Sequence, residues 1–151
     1  MSSINRSFEG FISMVFLKII SLLLLCISIP FNSFCGQITD TIYINSGILQ
    51  TFNGGNMPYK CFNPSNVFDN RNAILSYSIS DTISLTVFNN DMIPHRIGST
   101  ELGITSGLIA PGMNETVSIH SAVSGTFIYY DLENYPNNKI LGLAGMIVFR
   151  N

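Results

Sequence analysis

The stretch DTISLTVFNNDMIPHRI, residues 81–97, decides how the rest of the chain is read. Ile83, Leu85 and Val87 alternate in it with Thr82, Ser84 and Thr86. A period of two sends the apolar side chains to one face and the polar ones to the other, which predicts a strand with one buried face. Asn89-Asn90-Asp91 comes next, and short amide and carboxylate side chains bond their own backbone and end a strand in a turn. Comparable runs predict further strands at residues 41–45, 57–62, 74–79, 95–99, 115–120, 126–131 and 145–149. Asn53-Gly54-Gly55, Asn63-Pro64, Ser80-Asp81, Pro111-Gly112 and Ser124-Gly125 punctuate them. Many short strands at this spacing imply an all-β sandwich or barrel. Residues 132–143, rich in Asn and interrupted by Pro136, predict a loop with a short helical turn.

Upstream, Arg6 and Lys18 precede an uncharged, mainly apolar run from Ile19 to Ile29, and Ser33-Phe34-Cys35 offers small residues three and one before a cleavage point. The run is short against the roughly 20 apolar residues of a membrane span. Residues 1–35 are therefore expected to be a signal peptide, with an uncleaved anchor as the alternative. Residues 36–151 are the predicted domain, secreted or periplasmic, with no membrane span. This part carries eight acids against five bases, a formal charge of −3. A negative surface argues against nucleic acid as a partner, because neutralising phosphates needs basic groups. Cys61 is the single cysteine there, so it has no bridge to make within the chain and is expected to be a small buried side chain.

Several motifs succeed one another in a telling order. The strand of residues 81–90 runs into Pro94-His95. Pro111-Gly112 precedes the strand of residues 115–120. Then come Ser124-Gly-Thr-Phe-Ile-Tyr-Tyr130 and Leu141-Gly-Leu-Ala-Gly-Met-Ile-Val148. Gly47, Asn53-Gly54, Pro58-Tyr59 and Phe62-Asn63 open the series. The order resembles that of the cupredoxins, and of the N-terminal plastocyanin-like domain of multicopper oxidases, over about residues 40–151. The resemblance implies a Greek-key β-sandwich. It also implies copper, bound in blue-copper sites by two His, one Cys and a weak axial Met.

Most of those ligands are replaced. His95 matches the first His. Tyr129-Tyr130-Asp131 stands where the Cys should be, residues 132–139 contain no His, and Leu141 occupies the Met position. Against the oxidase pattern, Ile97 replaces the second His of a pair and Tyr130-Asp131-Leu132 replaces another pair entirely. No cofactor is expected, because copper would lack a full ligand set. His95 is the one metal candidate, and Tyr130, Asp131 and Asp91 are the residues expected to surround it. The competing reading makes His95 structural, bonded to a carbonyl or to the Tyr130 hydroxyl. Replacing it would then cost about 1–3 kcal/mol. Asp131 and Glu133, with Asp91, could offer oxygens to a hard cation or simply form a solvated turn. Tyr129, Tyr130 and Tyr135 could form an aromatic patch or join the core. His120 is expected at the surface. Three functions remain open: a secreted non-catalytic module that binds an unknown protein or small ligand, a truncated or inactive multicopper oxidase relative associated with further cupredoxin domains, and a weak copper-binding protein centred on His95.

Overall fold

The computed structural model describes residues 36–151, apart from the side chain of Ile140. The expected signal peptide lies outside the described residues. Among the described residues nine strands form: β1 (Gln37–Gln50), β2 (Asn56–Asn63), β3 (Ile74–Ser78), β4 (Thr82–Asn89), β5 (Ile97–Ser99), β6 (Ile104–Thr105), β7 (Asn114–His120), β8 (Gly125–Asp131) and β9 (Ala144–Arg150). One short helix, α1 (Asn137–Ile140), interrupts the connection between β8 and β9. One sheet has the order β2-β1-β4-β7 and the other β3-β9-β8-β5-β6. β1 pairs with β4, and β3 with β9, in parallel; the other pairings are antiparallel. Parallel neighbours cannot be joined by a tight hairpin, so the chain must cross between the sheets.

The alternation read in residues 82–88 becomes the core. Ile83, Leu85 and Val87 are buried and meet Ile42, Ile44 and Ile119 from the same sheet. Leu75, Tyr77, Tyr129, Ile147 and Phe149 face them from the other sheet. Fully burying each such side chain contributes about 1.5–3 kcal/mol. The Pro111-Gly112 turn closes with the Met113 N–H donating to the Ala110 carbonyl at 3.0 Å. Gly112 takes φ +74°, where a Cβ would be strained.

Two strand expectations change. β1 runs well past residues 41–45, because its first half pairs with β4 and its second half with β2. β5 begins at Ile97 rather than His95. His95 instead forms an isolated antiparallel bridge with Ile109. β6, two residues long, is too short to leave a periodic signal. The helical turn expected within residues 132–143 is α1. Among the described residues no helix is long and apolar enough to cross a membrane.

Candidate functional site

The Asn89-Asn90-Asp91 turn carries the chain out of β4 towards His95. The Asn89 side-chain amide donates to the carbonyls of Ile93 and Ile109 at 2.8 and 2.9 Å, and its Oδ1 accepts the Asp91 N–H at 2.9 Å. The His95 N–H donates to the Ile109 carbonyl at 3.1 Å, and the His95 carbonyl accepts the Ile109 N–H at 2.8 Å. The backbone of His95 is thus held from both sides before its ring makes any contact.

That ring is fully buried. Nε2 lies 2.8 Å from Asp91 Oδ2, and Nδ1 lies 2.9 Å from Asp131 Oδ2. Asp91 is also paired with Lys60, whose Nζ is 2.5 Å from the same Oδ2. Asp131, at the end of β8, is held by the side-chain amide of Asn138 on α1 and by the N–H groups of Arg96 and Glu133, both at 3.1 Å. The result is a buried polar chain, Lys60–Asp91–His95–Asp131–Asn138.

Burial by itself would push both carboxyls up. For Asp91, hydrogen bonds from Lys60, His95, the Met92 N–H and Ser46 outweigh it and hold the carboxyl at about 2. For Asp131, hydrogen bonds from His95, Asn138 and the Arg96 N–H, with the charge of His95, do the same, again to about 2. Both are carboxylates at neutral pH.

The residues expected around His95 are brought together only in part. Asp91 and Asp131 bracket the ring. Tyr130 does not join them, because alternation along β8 sends Tyr129 and Asp131 inward and Tyr130 the other way. Its ring lies 5.3 Å from that of Tyr135, with Lys139 Nζ 5.6 Å above it. The hydroxyl bond considered for Tyr130 is replaced by two carboxylate contacts. Tyr129 is a core residue whose hydroxyl donates to the Ala73 carbonyl at 3.0 Å, so the three tyrosines form no single patch. Glu133 is half exposed and lies 3.3 Å from Arg96, away from any shared oxygen cluster with Asp131. His120 is exposed, with Nδ1 3.3 Å from the Asp81 carbonyl. A shallow open cavity of about 400 Å³ lies elsewhere, lined by Pro64, Asp69, Arg71, Asn72, Ala73 and Ile74.

Sequence reasoning does not single out Lys60 or Asn138. Lys60 sits on β2, far from Asp91 in sequence, and nothing local marks it as a partner. Asn138 lies in a stretch whose polarity reads only as loop.

The donor set does not fit blue copper. The two carboxylates meet opposite edges of the imidazole, so no single point is shared by His95, Asp91 and Asp131 without breaking both contacts. The thiol of Cys61 is on β2, fully buried, and donates to the Asp69 carbonyl at 2.8 Å. Burial pushes this thiol up, away from the thiolate that a copper ligand must be. Among the described residues no group of three or more His, Cys, Asp or Glu side chains is arranged to hold a metal ion.

No family model matches the sequence, and no curated protein matches it. Solved structures do. A Cu-containing nitrite reductase from Thermus scotoductus superposes with a TM-score of 0.62 at 21% identity, over 76% of this chain and 28% of that one. A multi-copper oxidase from Pseudomonas thermotolerans gives 0.64 at 14% identity, over 77% of this chain and 30% of that one. A blue copper oxidase from Nitrosomonas europaea gives 0.64 at 15% identity, over 76% and 39%. At these identities the likeness is one of fold. The chain has the cupredoxin fold and spans between about a quarter and two fifths of these neighbours' length.

Proposed function

We propose that this chain is an exported, non-catalytic cupredoxin-fold module that acts by binding or by supporting a partner domain. One observation carries the reading. At the first copper-ligand position of the fold, both ring nitrogens of His95 are already engaged by carboxylates, 2.8 and 2.9 Å away. A metal would have to displace a carboxylate from whichever ring nitrogen it took, and among the described residues the one cysteine, Cys61, is a buried thiol that donates to the Asp69 carbonyl. Export is supported by the basic start and the apolar run of residues 19–29.

A second reading makes the chain one domain of an inactive oxidase-like assembly. The partial span of the solved neighbours favours it. In the first reading the partner is a protein or small ligand, and in the second a further cupredoxin domain.

Thermal melts of the wild type and His95→Ala, with and without copper, test the proposal. Copper is expected to leave both midpoints unchanged, and the copper-treated protein to stay free of the strong visible band of a copper–thiolate bond. A ligand that binds only the folded state raises stability by RT ln(1 + [L]/Kd). A copper-dependent rise in the wild type that vanishes in His95→Ala would overturn the proposal. Co-purification with a second cupredoxin domain would select the second reading over the first.

A further inference from the structure

If the site is metal-free, as proposed, the contacts around His95 imply more than a poor fit for copper. Asp91 and Asp131 are ionised and can only accept hydrogen bonds. A neutral imidazole has one donor nitrogen and one lone pair. In that form one ring nitrogen would aim its lone pair at a carboxylate oxygen at 2.8 or 2.9 Å, shielded from water. With both nitrogens protonated, each contact becomes a charge-assisted hydrogen bond. The imidazolium and Lys60 then balance the two carboxylates. Without that second cation the buried group would carry an uncompensated charge, which is costly where water is excluded.

The groups facing the ring come from four parts of the chain: Lys60 by way of Asp91 from β2, Asp91 from the loop after β4, Asp131 from the end of β8, and Asn138 from α1. Arg96 and Glu133 pair with each other outside this group. Asp131 begins the strap of residues 132–143, and Asn138 is its buried midpoint, 3% exposed. The ends of the strap are tied independently. The Leu132 N–H donates to the Arg96 carbonyl at 2.6 Å, and the Leu141 carbonyl accepts the Lys60 N–H at 2.9 Å. In its middle, Asn138 reaches Asp131 and the His95 ring, while Tyr135 and Lys139 pack on the Tyr130 ring of β8.

We infer that His95, donating to a carboxylate from each ring nitrogen, is a metal-independent latch that fastens the strap of residues 132–143 across the position where a cupredoxin would hold copper. The ligand position is kept, and a buried ion-pair chain does the positioning that a metal does elsewhere.

Nitrogen NMR of the His95 ring in metal-free protein at neutral pH, with zinc then added, is the first measurement. Both ring nitrogens are expected to be protonated, with slowly exchanging ring protons and no response to zinc. Hydrogen exchange in Asp131→Asn and in the milder Asn138→Ala is the second. Amides of residues 132–143 are expected to exchange about tenfold faster or more, while β4 and β7 stay within about twofold of the wild type. Asn138→Ala keeps every charge, so it reports on the latch even if Asp131→Asn fails to fold. A ring with one protonated nitrogen and no zinc response, or unchanged strap exchange in Asn138→Ala, would overturn the latch and leave the metal-free module standing. A ring whose signals shift with zinc would overturn both.

Discussion

The strap of residues 132–143 and the loop of residues 64–73 are both tied down by buried polar side chains, the first through charges and the second through neutral groups. On the loop side Asn63 is fully buried. Its amide nitrogen donates to the carbonyls of Asp69 and Arg71 at 2.8 Å each. Its oxygen accepts from the Asn45 amide at 2.9 Å, the Cys61 thiol at 3.1 Å and the Asp69 N–H at 3.2 Å. Asn72 adds a second anchor, accepting the Phe62 N–H at 2.8 Å and donating to the Gly142 carbonyl at 2.6 Å. An amide carries donor and acceptor in one uncharged group, so each asparagine can be satisfied by neutral neighbours, most of them backbone. The His95 side needs four charges to be correct at once. Its strength depends on pH and on every partner being present, whereas the asparagine clamp does not depend on pH.

Breaking the charged side should have the larger effect. His95→Ala leaves two buried carboxylates with only Lys60 to balance them. Removing one member of a buried ionic set costs about 3–5 kcal/mol. This exceeds the roughly 1–3 kcal/mol expected for a single hydrogen bond, because the structure gives the ring two ionic partners. Urea unfolding of the metal-free protein measures it, and a loss below about 1 kcal/mol would mean that the network is looser than its distances imply.

Acid should separate the two regions next. Asp91 and Asp131 sit at about 2 in the folded protein, below the ordinary 3.8. The unfolded chain therefore takes up protons first. Their contribution is fully present above about pH 4–5 and is lost as the pH falls through about 2. Each carboxylate accounts for about 2 kcal/mol of that loss. Unfolding measured at steps from about pH 6 down to about pH 2 should show a steep decline in the wild type. Asp91→Asn should flatten the decline, and Asn63→Ala should leave its slope unchanged.

Asn63→Ala should give the smallest effect, about 1–3 kcal/mol, from the unpaired Asp69 and Arg71 carbonyls. Its consequences should stay on the loop side. If hydrogen exchange in residues 132–143 rose as well, the two anchors would be coupled through Asn72 and Gly142, and the strap and the loop would form one network rather than two.

The sequence was most legible where a single strand carried the signal. Residues 82–88 alternate without interruption, and β4 forms there with its apolar face in the core. The strap reads as a loop with a helical turn because Asn and Pro136 disfavour regular structure locally. Alternation also holds a warning at the site. Tyr130 and Asp131 are adjacent in a strand, so a period of two places them on opposite faces and they could not both face His95. The length of β1 was not legible, since its extra residues are ordered by two partner strands rather than by their own pattern. Gly142, at φ +108°, offers a hint too: a side chain there would strike Tyr59 and the Lys60 carbonyl, so the strap passes close over β2.

By itself the sequence determined the all-β fold, the positions of most strands, and which residue types stand where the resembled family carries copper ligands, His95 among them. These come from the local period of side chains and from which residue types are present. Only the tertiary structure decided that Asp91 and Asp131 take opposite edges of the imidazole, that Lys60 completes the charge balance and that Asn138 reaches the same carboxylate. Those partners come from four chain segments brought together by sheet pairing and a crossover. The direction in which a buried charge finds its counter-charge is set by that packing, which no local pattern in the sequence encodes.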